Sequence, residues 1–267
     1  MPGVLFGPAI VGILVDHGSF SEEYAGWVMA FGALGSAVTL LIISGFIHRI
    51  NLKRLAYISL FLAVILDAYS AFNANPEVYF LIIRFFLGIF TTIANIAVYT
   101  SIASLQNYER GYGLFVLMQY SLSGLGLYYL ILYSDYLGVQ GLYLFLALLN
   151  FIALIMIRSF PDLNTESSSS HDSKSEIKVL LTGVTCLAIL GFGIHEMAGV
   201  AQFTYIERIG VAISIENQSL SNIMLIASLL GVPGSMICIV LGRKFGLLPP
   251  ILFGVFCCLI GMGLLLY

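Results

Sequence analysis

Long runs of apolar residues alternate along the chain with short polar segments. Because about twenty apolar residues in a helix cross the roughly 30 Å hydrocarbon core of a bilayer, these runs predict membrane-spanning helices. The first run is short and contains Pro2 and Pro8; since no Lys or Arg precedes Arg49, we expect a helix lacking its first turns rather than a signal peptide. The predicted spans are residues 2–16, 24–47, 55–72, 78–104, 111–133, 139–158, 178–205, 219–242 and 247–267.

Composition supports this assignment. Hydrophobic residues make up 60% of the chain and charged residues 9%, and the mean hydropathy is +1.00. A soluble domain carries a much larger charged fraction. We therefore predict an all-α, polytopic transmembrane helical bundle whose main partner is the lipid bilayer. No basic patch with interleaved aromatic residues is present, so a nucleic-acid partner is not expected.

The loop charges are distributed with a strong asymmetry. We call one side the basic end; it carries nine of the eleven Lys and Arg residues: Arg49, Lys53, Arg54, Arg110, Arg158, Lys174, Lys178, Arg243 and Lys244. We call the other side the acidic end; its loops contain one cation, Arg208, and the acids Asp16, Glu22, Glu23, Glu77, Asp135, Glu207 and Glu216. The positive-inside rule then places the basic end in the cytoplasm and predicts a multi-pass protein of the inner (plasma) membrane.

One polar, low-complexity segment divides the chain. Residues 162–176 are rich in serine and charge and lack apolar periodicity, which is typical of a flexible linker. We predict a six-helix membrane bundle over residues 1–160, a cytoplasmic linker over 161–177, and a partial bundle of three helices over 178–267. All four cysteines fall within predicted spans, where they indicate small buried hydrophobic residues rather than a metal site or disulfides.

Two tight basic turns occupy matching places in the two halves. The first follows span two and the second follows span eight, and their residues of interest are His48, Arg49, Lys53, Arg54, Arg243 and Lys244. In the order of these turns along the chain, and in the side of the membrane on which they lie, the chain resembles the major facilitator superfamily. Members of that family carry G-x-x-x-D-R-x-G-R-R after helix two and a degenerate copy after helix eight. Here His48 replaces the aspartate and Asn51 the glycine. Span four contains Arg84-Phe85-Phe86-Leu87-Gly88, similar to the family's R-x-x-Q-G, with Leu87 in place of glutamine.

The resemblance implies a fold and a mechanism. The family has two six-helix bundles, so nine helices would make this chain truncated at both ends. It implies a secondary transporter, not an enzyme, that moves a small solute by alternating access and needs no cofactor. The basic turn around Arg49 would stabilise one state. The chain has no G-x-x-x-x-G-K-[ST] loop for ATP; the alternative is a truncated or regulatory membrane protein without transport activity.

Polar residues inside span four are the first candidates for a substrate pathway. Because the resembled family lines its central cavity with helix four, a polar face there predicts contact with solute; interhelical hydrogen bonding is the alternative. Gln119 in span five is a weaker candidate. The polar face follows from three- and four-residue spacing and comprises Arg84, Gly88, Thr91, Thr92, Asn95 and Tyr99.

Asp67 and Arg84 are charged residues within predicted spans. They lie about six and seven residues from the acidic end of spans three and four, so at 1.5 Å per residue their depths match. We predict an ion pair, which would lower the cost of inserting both charges. The alternative places Asp67 at the membrane interface, protonated or extended towards water.

Span seven carries the remaining candidates. His195 and Gln202 are seven residues apart and share a helical face, and Glu196 adds a carboxylate. We predict His195 and Gln202 as pathway residues and Asp67, His195 and Glu196 as proton-coupling candidates, because these groups can be titrated. A packed pair near the acidic end is the alternative for His195 and Glu196. A zinc H-E-x-x-H motif is excluded by Gly199, so no metal is expected. The few charges among the pathway candidates favour a neutral or weakly charged small solute.

Span eight shows a face of small residues. Ser221, Ser228 and Ser235 recur at seven-residue intervals, with Gly231 beside them. Small residues allow close helix approach, so this face predicts packing rather than a binding site.

Overall fold

The structure is a computed structural model that describes residues 2–46, 50–159, 183–245 and 248–264. Over these ranges the chain is all-α and contains no strand, which confirms the predicted fold class. A helical turn at Pro2–Leu5 precedes the first long helix, and a 3₁₀ turn at Ile157–Ser159 follows the sixth. The described helices are α1 Gly7–His17, α2 Glu22–Phe46, α3 Leu52–Asn73, α4 Val78–Ala103, α5 Tyr108–Leu132, α6 Ser134–Met156, α7 Gly183–Ala212, α8 Asn217–Phe245 and α9 Leu248–Leu264.

Each predicted span overlaps one of these helices. α7 continues past the predicted end at residue 205 to Ala212, so Glu207 and Arg208 lie in a helix and not in the predicted loop. By length and hydropathy, six described segments can cross a membrane: Glu22–Ile43, Leu52–Asn73, Val78–Ala103, Arg110–Leu132, Ser134–Ser159 and Asn217–Met236. Gly7–His17 and Leu252–Gly261 are shorter apolar helices. The predicted linker over 161–177 lies outside the described residues.

The sixth helix begins earlier than the sequence suggested. Apolar residues predicted its start near residue 139, whereas α6 begins at Ser134. The two starts are separated by a break at Gly138, whose φ of 51° lies in the left-handed region. Glycine adopts this conformation without the steric cost that a Cβ would add. The short segment before Gly138 is therefore a separate helical piece at the acidic end.

Glycines bring α2 and α4 into close contact. A Cβ added to Gly88 of α4 would overlap the carbonyl oxygen of Gly32 in α2, and a Cβ on Gly35 would overlap that of Phe85. α3 packs against both α4 and α6. The largest apolar core surrounds α1, where Phe6, Val11 and Leu14 are fully buried. The same core contains residues of α2 to α6 and of α8, which therefore surround α1.

Two helix pairs join the parts of the chain before and after the predicted linker. α5 packs along α8, and α1 packs against α7. Ser221, Ser228 and Ser235 of α8 are buried, and a Cβ on Gly124 of α5 would lie 2.9 Å from the Cβ of Ser228. The predicted packing role of the small residues in span eight is confirmed.

Candidate functional site

A charged cluster is buried in the part of the chain that precedes the predicted linker, between α3, α4 and α6. Asp67 of α3 lies 3.5 Å from Nη1 of Arg84 on α4, and their side chains are 1% and 7% exposed. Asn150 of α6 donates a hydrogen bond of 2.8 Å from Nδ2 to the second carboxylate oxygen of Asp67. The predicted ion pair is present, and Asp67 is buried rather than at an interface.

Aromatic rings cover the guanidinium of Arg84. Its Cζ lies 4.2 Å from the ring centre of Tyr143 on α6 and 5.0 Å from that of Phe80, one turn earlier on α4. Nε and Nη2 of Arg84 are buried without a hydrogen-bond partner, as is the hydroxyl of Tyr143. Cation–π attraction offsets part of the cost of burying this charge. The cluster therefore retains hydrogen-bond donors without a partner beside the Asp67 carboxylate.

The polar residues of α4 contact several neighbours rather than one surface. Arg84 faces α3 and α6, whereas Gly88 touches α2. Thr91 donates to the carbonyl oxygen of Leu87 in its own helix, and Asn95 donates to that of Thr91.

The two other polar positions of α4 differ in burial. Thr92 is fully buried, and its hydroxyl has no hydrogen-bond partner. Tyr99 is 42% exposed, with its ring 5.4 Å from that of Phe115 on α5. The assignment of the α4 residues to a substrate pathway stays a prediction.

The candidates on α5 and α7 lie apart from the buried cluster. His195 and Glu196 are exposed, so they do not form the packed pair considered as an alternative. Gln119 and Gln202 are half-buried. Among the described residues, none of these four side chains makes a hydrogen bond or ion pair. The middle of α7 is thus uncovered, while its contact with α1 lies nearer the acidic end.

Part of the predicted basic turn can be located. His48 and Arg49 lie outside the described residues, and so do the side chains of Arg243 and Lys244 in α8. Lys53 and Arg54 stand in the first turn of α3, which Asn51 caps by accepting a 3.0 Å hydrogen bond from the backbone N–H of Arg54. A cavity of about 490 Å³, here called the basic pocket, is lined by Lys53, Arg54, Tyr57, Ile58, Ile157 and Arg158.

The acidic end contains a cluster that sequence reasoning missed. Arg208 of α7 donates two hydrogen bonds to Asp16 of α1, at 2.8 Å and 2.6 Å, and two more to Glu207, at 2.7 Å and 2.8 Å. We call Asp16, Glu207 and Arg208 the acidic-end cluster. A Cβ on Gly12 would lie 2.5 Å from the carboxylate of Glu207, so the absence of a side chain at Gly12 lets Glu207 pack directly against α1. The available signal was the isolation of Arg208 among acidic loops.

The hydrogen bonds of the acidic-end cluster favour the charged form of Arg208. Arg208 lies beyond the predicted span 178–205, and its hydrogen bonds with Glu207, followed by those with Asp16, raise its pKa above the ordinary value. The guanidinium therefore remains protonated at any physiological pH. Two carboxylates from different helices share this one cation.

Further polar contacts surround this cluster. The hydroxyl of Tyr205 on α7 donates to the carbonyl oxygen of Glu22 at 3.3 Å, and that of Tyr24 donates to the carbonyl oxygen of Glu77 at 2.6 Å. Nε2 of His17 lies 3.6 Å from a carboxylate oxygen of Asp135. The loops of the acidic end therefore lie side by side, and α7 is held against α1 and α2 there.

Comparison with known proteins gives one match. A family model described as Major Facilitator Superfamily matches residues 2–267. No curated protein and no solved structure matches the chain.

Proposed function

The chain belongs to the major facilitator superfamily, and we propose that it is a secondary active transporter that moves a small solute by alternating access, coupled to protons. Membership of the family makes it a multi-pass membrane transporter in general terms. The solute, the coupling ion, the inner-membrane location and the mechanism are parts of the proposal.

The observation that carries the proposal is the ion pair between Asp16 and Arg208. It joins α1 to α7, and therefore the two parts of the chain, at the acidic end. Alternating access requires contacts at one end that hold while the other end opens and that break when the halves rock. Asp16 is 46% exposed in its side chain, so water can replace Arg208 as its partner when the pair separates.

Glu207 makes such a separation less costly. Both Glu207 and Arg208 belong to α7, and their two hydrogen bonds do not depend on the position of α1. When Asp16 leaves, the guanidinium keeps one carboxylate, so no buried charge is left without a partner. A reversible gate has this property, whereas a permanent structural contact does not need it.

Asp67 is the preferred proton carrier in this proposal. It is almost fully buried, and a proton would neutralise it and release Arg84 from the ion pair. The two unpartnered donors of Arg84 could then bind an oxygen of the solute. His195 and Glu196, exposed on α7, are the second choice because nothing in the described residues couples them to another charge.

The remaining predicted residues complete the proposed pathway. Thr91, Thr92, Asn95, Tyr99 and Gln119 would supply the first half of the solute path, and His195 and Gln202 the second. Since few of these groups are charged, a neutral or weakly charged solute fits them best. The basic turn from His48 to Arg54, with Arg243 and Lys244, would stabilise the state in which the basic end is closed.

Reconstituted protein tests the proposal. Proteoliposomes that contain a pH-sensitive dye and carry an imposed pH gradient are exposed in turn to a panel of neutral and weakly charged solutes. We expect at least one solute to trigger a proton flux with the wild-type chain and not with Asp67→Asn. Because this variant is also expected to be less stable, thermal unfolding in detergent first shows how much of it is folded, and the flux is compared per folded chain. Arg110→Gln, a change of an exposed basic-end cation, serves as the control and should leave the flux unchanged. Absence of flux with every solute would favour the alternative of a membrane protein without transport activity.

A further inference from the structure

The basic pocket lies between the start of α3 and the end of α6. Of the six described residues that line it, three are cations: Lys53 and Arg54 from α3, and Arg158 from the 3₁₀ turn after α6. Among the described residues, neither Arg54 nor Arg158 takes part in an ion pair. Arg54 and Arg158 therefore bring to the pocket positive charge that the described carboxylates do not neutralise, and an anion is the expected ligand.

The backbone adds to this positive potential. α3 is a helix of 22 residues, and its N-terminus opens at the pocket. Backbone N–H groups of a first helical turn point outwards, and the helix dipole places partial positive charge there. Asn51 accepts a hydrogen bond from the backbone N–H of Arg54 and so caps this helix end. Phosphate groups bind at helix N-termini for these reasons, and arginine offers them two parallel donors.

The other residues that line the pocket are largely apolar. Tyr57 and Ile58 lie one helical turn after the cations of α3 and are 41% and 56% exposed, and Ile157 lines the pocket from the 3₁₀ turn after α6. A free inorganic anion gains nothing from such a wall. A phospholipid does, because its phosphate lies at the level of the cations and its glycerol and acyl chains continue along the helix surface.

From this combination, we propose that the basic pocket binds the phosphate group of an anionic phospholipid of the membrane leaflet at the basic end. Arg54 and Arg158 contact the phosphate from the two helices, and Tyr57 and Ile58 contact the lipid body. Each cation near an anionic lipid surface contributes about a fivefold change in affinity. The lipid joins the ends of α3 and α6 without any change in the transport site.

Native mass spectrometry of the purified full chain in detergent tests the proposal. The chain is titrated separately with phosphatidylglycerol, phosphatidylcholine and inorganic phosphate, and the fraction carrying each adduct gives its affinity. We expect a phosphatidylglycerol adduct that is stronger than the phosphatidylcholine adduct. Arg54→Gln and Arg158→Gln should each weaken it about fivefold, and the double variant about twenty-five-fold.

Arg110→Gln is the matched control, since Arg110 is an exposed cation of the same end that does not line the pocket. It should change the affinity less than twofold. Arg158→Lys keeps the charge and should bind more strongly than Arg158→Gln, and a thermal-unfolding scan of each variant shows whether it is folded. Equal binding of both lipids, or an equal loss in Arg110→Gln, would overturn the proposal.

The phosphate titration separates the two sources of the anion. If inorganic phosphate occupied Arg54 and Arg158 at least as tightly as phosphatidylglycerol, the pocket would be a free-anion site and the lipid assignment would be wrong. None of these measurements depends on transport, so their failure would leave the proposed function standing, and absence of transport would leave lipid binding unaffected.

Discussion

Arg208 donates from both Nη atoms to both carboxylate oxygens of Asp16, across a sequence separation of 192 residues. This is a bidentate, charge-assisted arrangement, which fixes geometry as well as adding energy. Its position matters as much as its strength, because it connects α1 and α7 at the acidic end. The described structure is therefore closed there, and the pair is the natural point at which that closure can be weakened.

Asp16→Asn should open the acidic end more often. The amide keeps the shape of the side chain but loses its charge, so the bond from Arg208 weakens while Glu207 keeps the guanidinium paired. We expect faster reaction of a reporter cysteine, Thr204→Cys, with a membrane-impermeant maleimide added from the acidic side. Thr204 is 5% exposed and lies beside Gly7 at the α1–α7 contact, so it becomes accessible only on separation.

A charge exchange provides the control for this experiment. Asp16→Arg combined with Arg208→Asp restores opposite charges across the contact. Labelling should therefore be slower in this double variant than in either single variant. The cation nearest to Glu207 then belongs to α1. The native cysteines are replaced beforehand. Labelling that is unchanged in Asp16→Asn would show that the ion pair does not hold the acidic end closed.

Asp67→Asn should strongly destabilise the chain. The substitution leaves the buried guanidinium of Arg84 with only aromatic neighbours and an amide, and breaking a buried ion pair in this way typically costs about 3–5 kcal/mol. A thermal or denaturant unfolding experiment in detergent measures the loss. The double variant Asp67→Asn/Arg84→Gln removes both charges and should lose less than the sum of the two single changes. Additive losses would show that the two residues do not interact.

The sequence predicts the helices well because one physical rule decides them. An apolar run that crosses lipid must form a helix, since within a single segment only a helix provides hydrogen bonds for all backbone N–H and C=O groups. The depth argument also anticipates the pairing of Asp67 with Arg84, because both residues belong to helices adjacent in sequence and joined by a short loop. Where a contact depends on local geometry of that kind, the sequence suffices.

Contacts between distant helices could not be predicted in the same way. Nothing in the pattern of α7 specifies that Arg208 meets α1, and the spacing of polar residues on α4 does not reveal that Arg84 turns towards Tyr143 of α6. These choices are set by the packing of whole helices. The same limit applies to the basic pocket, which combines the start of α3 with the end of α6.

Gly88→Ala should separate α2 from α4. The added methyl group would overlap the carbonyl oxygen of Gly32, and since both partners are backbone, neither can move as a side chain would. Overpacking of this kind typically costs about 1–3 kcal/mol, which unfolding in detergent would register as a lower midpoint. Gly191→Ala in α7 is the matched control: no atom lies within 4 Å of its added Cβ, and alanine favours helix, so stability should not fall. Equal midpoints for Gly88→Ala and the wild type would mean that α2 and α4 do not approach each other this closely.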